Sequence, residues 1–177
     1  MDVGAGDGGY VLHRARTEPD TFAIAIDASP DALASGAWRA KRGRIANAAF
    51  LVEGVERLPV ELACLADEVT VHFPWGSLLR GLVDGLSSVV GPIACLMKAG
   101  AELRVLISAI DRDGIGEMSP SLVASRCASF AEHGLHLVET DWASDAIVAE
   151  SRSVWAKRLS VGHARQAVIA RYRRDAT

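Results

Sequence analysis

Residues 2–9, Asp2-Val3-Gly4-Ala5-Gly6-Asp7-Gly8-Gly9, pack four glycines and two aspartates into eight positions. Glycines so placed let a strand turn sharply into a helix whose first N–H groups face a ligand. Gly4, Gly6 and Gly9 satisfy the G-x-G-x-x-G spacing. Asp27 closes an apolar run about 20 residues further on, where an acidic side chain can hold a ribose diol. The pattern alone does not choose the ligand, but charge weighs on the choice. A dinucleotide would set its pyrophosphate between Asp2 and Asp7, two like charges in a partly desolvated turn. S-adenosylmethionine (SAM) brings a sulfonium and an ammonium, and carboxylates favour both. A ligand-free structural turn is the third possibility.

Two tryptophans stand in contexts that could hold a flat group. Trp75 lies in Phe73-Pro74-Trp75-Gly76-Ser77, directly after an apolar run. Trp155 lies in Ser153-Val154-Trp155-Ala156-Lys157-Arg158, followed by Arg165. A tryptophan among Lys and Arg combines stacking with phosphate attraction. Trp38 and Trp142 are assigned to core packing. Net charge supports a local polyanion site. The whole chain carries −3, yet residues 151–177 hold seven basic side chains against Asp175 alone, while residues 1–150 hold 12 basic against 21 acidic. A second basic cluster, Arg39, Lys41, Arg42 and Arg44, contains no carboxylate. Such asymmetry suggests a local patch for a polyanion rather than a generally sticky surface, although on charge alone a solvated basic face is the simpler reading.

The elements that must position these residues follow from hydrophobic pattern. Phe22–Asp27, Ala49–Glu53, Glu68–Phe73 and Glu102–Ile110 are near-continuous apolar runs, as parallel strands covered on both faces require. Helical patterns lie at Gly9–Arg16, Pro30–Arg42, Ser77–Val83, Leu86–Lys98 and Pro120–His133. Pro30 and Pro120 each follow a serine, which marks a helix start. Late strands are expected at Leu135–Trp142 and Gln166–Arg173, with a short helix near Ser153–Ser160. Alternation of this kind predicts an α/β doubly wound sheet, mostly parallel with an antiparallel C-terminal strand. One domain over 1–177 is expected. The first strand should be truncated, because the glycine turn arrives by Gly4; either it is a stub or the recorded start lies downstream of the real one.

Composition excludes other classes. With 177 residues and half of them apolar, the chain buries a sizeable core without staples. No apolar stretch reaches the roughly 18 residues that span a bilayer, and no basic n-region opens a signal peptide. Cys64, Cys95 and Cys127 are far apart and form no C-x-x-C, so no metal is expected. The expected location is the cytoplasm and the expected state a monomer.

The spacing D-x-G-x-G-x-G resembles the first motif of class I methyltransferases, Rossmann-like folds that bind SAM. With AIDAS, VERLP, FPWGSLLRG and SVWAKRLSVGHAR in the same order, the chain resembles more narrowly the aminoglycoside-resistance 16S ribosomal RNA (adenine-1408-N1)-methyltransferases, from Met1 to at least Arg165. The resemblance implies that Asp2, Gly4, Gly6 and Asp7 form the cofactor turn and Asp27 the ribose acid. Val55 and Glu56 fall at the adenine position, and Pro74 and Ser77 on the cofactor side of the FPWGS segment. Trp75 and Trp155 would sandwich a flipped adenine, with Ser153 beside cofactor and target. Lys157, Arg158, Arg165 and the Arg39–Arg44 cluster (Arg39, Lys41, Arg42, Arg44) would dock RNA on an assembled 30S subunit. Three departures stand out: an N-terminal hairpin of the family is missing, His163 replaces a common arginine, and Asp111–Pro120 is short. Asp111 and Asp113 are candidates for positioning the target.

Two other functions compete. A methyltransferase for a small aromatic metabolite would use Trp75 as a stacking wall but has no work for the basic tail. A non-catalytic RNA-binding relative would keep the tail and lose the cofactor.

Overall fold

The computed structural model describes residues 1–109, 113–158 and 165–176, the side chains of Trp155 and Arg158 excepted. Seven strands form one sheet: β1 (Asp2–Val3), β2 (Ala23–Asp27), β3 (Ala48–Val52), β4 (Ala66–His72), β5 (Met97–Ile107), β6 (Leu135–Trp142) and β7 (Val168–Arg174). Their order is β3-β2-β1-β4-β5-β7-β6. The first five in that order pair parallel; β7 pairs antiparallel with both β5 and β6. This is the expected doubly wound sheet with its antiparallel C-terminal part.

Helices cover both faces: α1 (Gly9–Thr17), α2 (Pro30–Arg42), α3 (Gly76–Val83), α4 (Ser87–Leu96), α5 (Pro120–Ser125), α6 (Cys127–Ala131), α7 (Asp145–Glu150) and α8 (Val154–Arg158). The Ser29 and Ser119 side chains accept from the N–H groups of Ala32 and Leu122, so each Ser-Pro pair does cap a helix. The central core joins Val69, Val71, Leu103, Val105 and Ile107 of the sheet to Leu79, Val90 and Ile93 of α3 and α4.

Three local expectations fail. The single helix over Pro120–His133 breaks at Arg126, whose backbone (φ −99°, ψ 2°) leaves the helical region and starts a second short helix. The helix expected to run through Lys98 ends at Leu96, because Met97 is already paired with Ala66 in the sheet. Helix α7 was not foreseen, although Ser144 caps it by accepting from the Ile147 N–H.

β1 comprises Asp2–Val3 alone. Below it, the starts of β2 and β4 face one another across a cavity of about 560 Å³. The polar groups there serve one another: Arg14 donates to Glu68, to Glu18 and to the Tyr10 hydroxyl. That cavity lies at the opposite end of β2 and β4 from the glycine turn.

Candidate active site

In this strand order the chain turns outward in opposite directions from β1 and β4, and ligands of open α/β sheets bind at such a switch point, beyond the strands' carboxyl ends. A cavity of about 490 Å³ opens there. It is lined by the glycine turn, Tyr10, Asp27, His72, Phe73 and Trp75, and by Ser151–Val154 opposite.

The turn is held by short-range bonds. Gly4, Gly6 and Gly8 take positive φ of 73°, 55° and 68°, a region side chains strain to enter. The N–H groups of Gly4 and Ala5 both donate to the Ile26 carbonyl, at 2.8 and 3.0 Å. Asp27 then acts as a staple. Its Oδ2 accepts from the Gly6 N–H at 2.7 Å and its Oδ1 from the Ser29 N–H at 2.8 Å. Each carboxylate oxygen retains a second lone pair for a ligand.

Asp2 is 3% exposed, and its Oδ1 accepts from the Thr70 hydroxyl at 2.7 Å. His72 Nδ1 lies 3.4 Å from the same oxygen and has no hydrogen-bond partner. A buried, unsatisfied polar atom is costly unless a ligand or water completes it. The His72 ring packs edge-on against Tyr10 at 4.4 Å. Burial first, then the Glu68 carboxylate, push the Tyr10 hydroxyl up to about 12, so it stays neutral. Sequence reasoning overlooked His72; its signal was a lone polar side chain at the end of an apolar strand.

The opposite wall is built by two unusual backbone positions. Phe73 has φ 51°, a left-handed conformation that strains a bulky residue by about 1–3 kcal/mol. Its N–H still donates to the Leu106 carbonyl, and its ring, 2% exposed, packs with Val148, Ala156 and Ile169. The bend sends Trp75 outward at the N-terminus of α3, 68% exposed and lining the cavity. Arg152 repeats the device at φ 54°. Its carbonyl comes close to Gly9, so the loop before α8 closes against the start of α1. Ser153 Oγ accepts from the Ala156 N–H at 3.2 Å, capping α8 while lining the cavity.

Of the residues singled out from sequence, Asp2, Gly4, Gly6, Asp7, Asp27, Trp75 and Ser153 meet in this cavity. Trp155 sits two positions along the chain from Ser153 on α8; its side chain, like that of Arg158, lies outside the described residues. Val55, Glu56, Pro74 and Ser77 are not among its lining residues: Val55 packs into the central core, Glu56 and Ser77 are exposed and Pro74 is buried. Asp113 faces a separate cavity with Arg80, Asp84 and Arg126, while Asp111 and His163 fall outside the described residues. Lys157 and Arg165 are exposed.

Two readings need correction. Arg39, grouped with the RNA-docking cluster, turns inward: its guanidinium donates to the Asp7 carbonyl at 2.6 Å and carboxylate at 2.7 Å. The approach is possible because α2 passes the turn at Gly36, where a Cβ would stand 2.4 Å from the Asp7 carbonyl oxygen. Asp7 therefore has its charge offset, and Asp2 and Asp27 carry the anionic character of the site. Trp38 and Trp142, assigned to packing, are both exposed. Lys41, Arg42 and Arg44 face solvent as expected.

Comparison with known proteins agrees with this geometry. Residues 1–174 match the family model described as NpmA: 16S rRNA (adenine(1408)-N(1))-methyltransferase. An Escherichia coli protein of that name is 26% identical over 179 residues, covering 93% of this chain and 82% of its own. The corresponding enzyme from Catenulisporales acidiphilia, a mutant solved with the cosubstrate SAM, superposes with a TM-score of 0.87 at 27% identity, over 98% of this chain and 84% of that one. The antibiotic-resistance methyltransferase Kmr gives a TM-score of 0.80 at 28% identity, over 99% and 86%. The chain belongs to the 16S rRNA (adenine(1408)-N(1))-methyltransferase family.

Proposed function

We propose that this protein methylates N1 of the adenine at position 1408 of 16S rRNA in the 30S subunit, using SAM, and thereby confers aminoglycoside resistance. The observation that carries the reading is one cavity in which an Asp27-stapled glycine turn faces an exposed tryptophan across the switch point. SAM fits what is present. Asp27 has lone pairs for a ribose diol, Asp2 a buried negative charge for an ammonium, and His72 Nδ1 lacks a partner. Val55, Glu56, Pro74 and Ser77 are proposed to complete the cofactor side, and Ser153 to stand beside the reacting groups.

The chemistry asks little of the protein beyond placement. N1 of adenine has an in-plane lone pair that attacks the sulfonium methyl; the S–CH3 bond breaks and its electron pair returns to sulfur. The product base is cationic, which the acidic cavity favours. No proton needs removing, so rate comes from alignment. Extruding the base costs a few kcal/mol. Stacking on Trp75 and Trp155, about 1–3 kcal/mol each, offsets it. Lys41, Arg42, Arg44, Lys157, Arg158 and Arg165 are assigned to the RNA backbone. The reading takes 1–177 as a single domain, a monomer working in the cytoplasm without a metal.

Primer extension on 30S subunits incubated with protein and SAM tests it. A stop at adenine 1408 that depends on both is expected. Modification elsewhere, or of a small aromatic compound only, would overturn it.

A further inference from the structure

Helix α2 buries Leu33, Gly36 and Ala40 and sends Arg39 toward the glycine turn. Its outer side carries Trp38, 58% exposed, with Lys41 and Arg42 exposed beside it. Leaving so large an apolar ring in water forgoes the stabilisation that burial would give. The guanidinium of Arg42, one helical turn on, lies 5.1 Å from the ring centroid, a cation–π contact that holds the indole in place. Arg44 follows in a left-handed conformation (φ 52°), also exposed. No carboxylate occurs between Asp31 and Glu53. Because Arg39 of the same turn reaches Asp7 at the cavity rim, the patch adjoins the candidate active site.

We propose that Trp38 and Arg42 form a second stacking site, distinct from the target pocket, that takes an unpaired base of the rRNA while Lys41 and Arg44 hold its phosphates. The proposal rests on the rRNA reading above and adds a residue to it. A protein partner would be gripped by apolar neighbours around the tryptophan; here its charged neighbours are cations, which suits a polyanion with flat faces. Sequence reasoning assigned Trp38 to the core, and exposure is what overturns that.

Methylation kinetics and direct 30S binding, each across a salt series, test the proposal with Trp38→Ala, Trp38→Phe and Arg42→Gln. Trp38→Ala should raise KM for 30S and weaken binding by about 5- to 150-fold, the measured worth of one stacked base. Its kcat, SAM affinity and melting temperature should match the wild type. Trp38→Phe should recover much of the loss. Stacking carries no counterion release, so Trp38→Ala should keep the wild-type salt slope, whereas Arg42→Gln, which also removes a cation beside the phosphates, should flatten it by roughly one unit. Wild-type KM and binding in Trp38→Ala at every salt concentration would overturn the proposal, as would equal losses in SAM affinity and stability. Wild-type protein that binds 30S without methylating it would sink the enzymatic reading while leaving Trp38 measurable by binding. Absence of salt-sensitive binding would sink both.

Discussion

The two walls of the cavity are built on different terms. On the glycine-turn side nearly every polar group has a partner before any ligand arrives: Gly4 and Ala5 on Ile26, Gly6 and Ser29 on Asp27, Gly9 and Arg39 on Asp7. On the other side Phe73 and Arg152 sit in left-handed conformations, and Trp75 is 68% exposed. One wall is complete by itself. The other presents an exposed aromatic surface, as the proposed stacking of an extruded base would require. On the proposed reading, preorganisation is concentrated where SAM would sit, and exposure where the rRNA base would sit.

Adjacent residues allow the sharpest break of this contrast. Phe73 and Trp75 are two positions apart, one buried in a packed cluster and one mostly exposed. Phe73→Ala should destabilise folding by about 3–5 kcal/mol, the usual result of truncating a buried aromatic. Trp75→Ala should leave stability within about 0.5 kcal/mol. Its methylation rate should instead fall about 5- to 150-fold, with Trp75→Phe retaining part. Melting curves beside a 30S methylation assay check both. A large drop in melting temperature for Trp75→Ala would make it a structural residue and remove the contrast.

Asp27 probes the completed wall, with the next largest effect. Asp27→Ala deletes the acceptor for two backbone N–H groups, each bond to a charged group being worth about 1.5–3 kcal/mol. Stability and SAM affinity should therefore fall together, since the same carboxylate shapes the turn and, on the proposed reading, would meet the ribose. Asp27→Asn keeps one acceptor oxygen and should lie between. Calorimetric titration with SAM and thermal melting give the two numbers. Lost affinity at wild-type stability would mean that the Gly6 and Ser29 bonds contribute nothing to the turn.

Most of the framework was legible because the signals are local and strong. Strands buried on both faces read as continuous apolar runs, Ser29-Pro30 and Ser119-Pro120 announce helix starts, and glycines at Gly4, Gly6 and Gly8 announce the turn. What was missed depends on rotation about an axis or on contacts distant in sequence. Helix α7 needed the Ser144-Asp145 cap to be weighed against a short, weakly apolar segment. Arg39 looked like its neighbours in composition; only its place three residues after Gly36, on the side that touches the turn, separates it from Lys41 and Arg42. Trp38 was judged by neighbours in sequence, and its exposure follows from the helix face. His72 gained meaning only when Asp2, distant in sequence, came to lie beside it.

The smallest effect separates the two uses of arginine on α2. Arg39 pairs with Asp7 at a partly exposed site, where such ion pairs are worth about 0.2–1 kcal/mol. Arg39→Ala loses that pairing together with the hydrogen bond to the Asp7 carbonyl, so the turn is less firmly held. SAM affinity should weaken about two- to fivefold, within the same range of energies. Freed of its partner, Asp7 would also attract the cationic cosubstrate more, which keeps the net change small. The salt slope of 30S binding should stay at its wild-type value, because the Arg39 guanidinium is already engaged by Asp7. Lys41→Gln should do the opposite, flattening the slope with SAM affinity unchanged. Titration calorimetry and a salt series of 30S binding, run on both variants, decide the matter. A flatter slope in Arg39→Ala with wild-type SAM affinity would return Arg39 to the RNA surface, and the glycine turn would then be held by Asp27 and Gly36 without it.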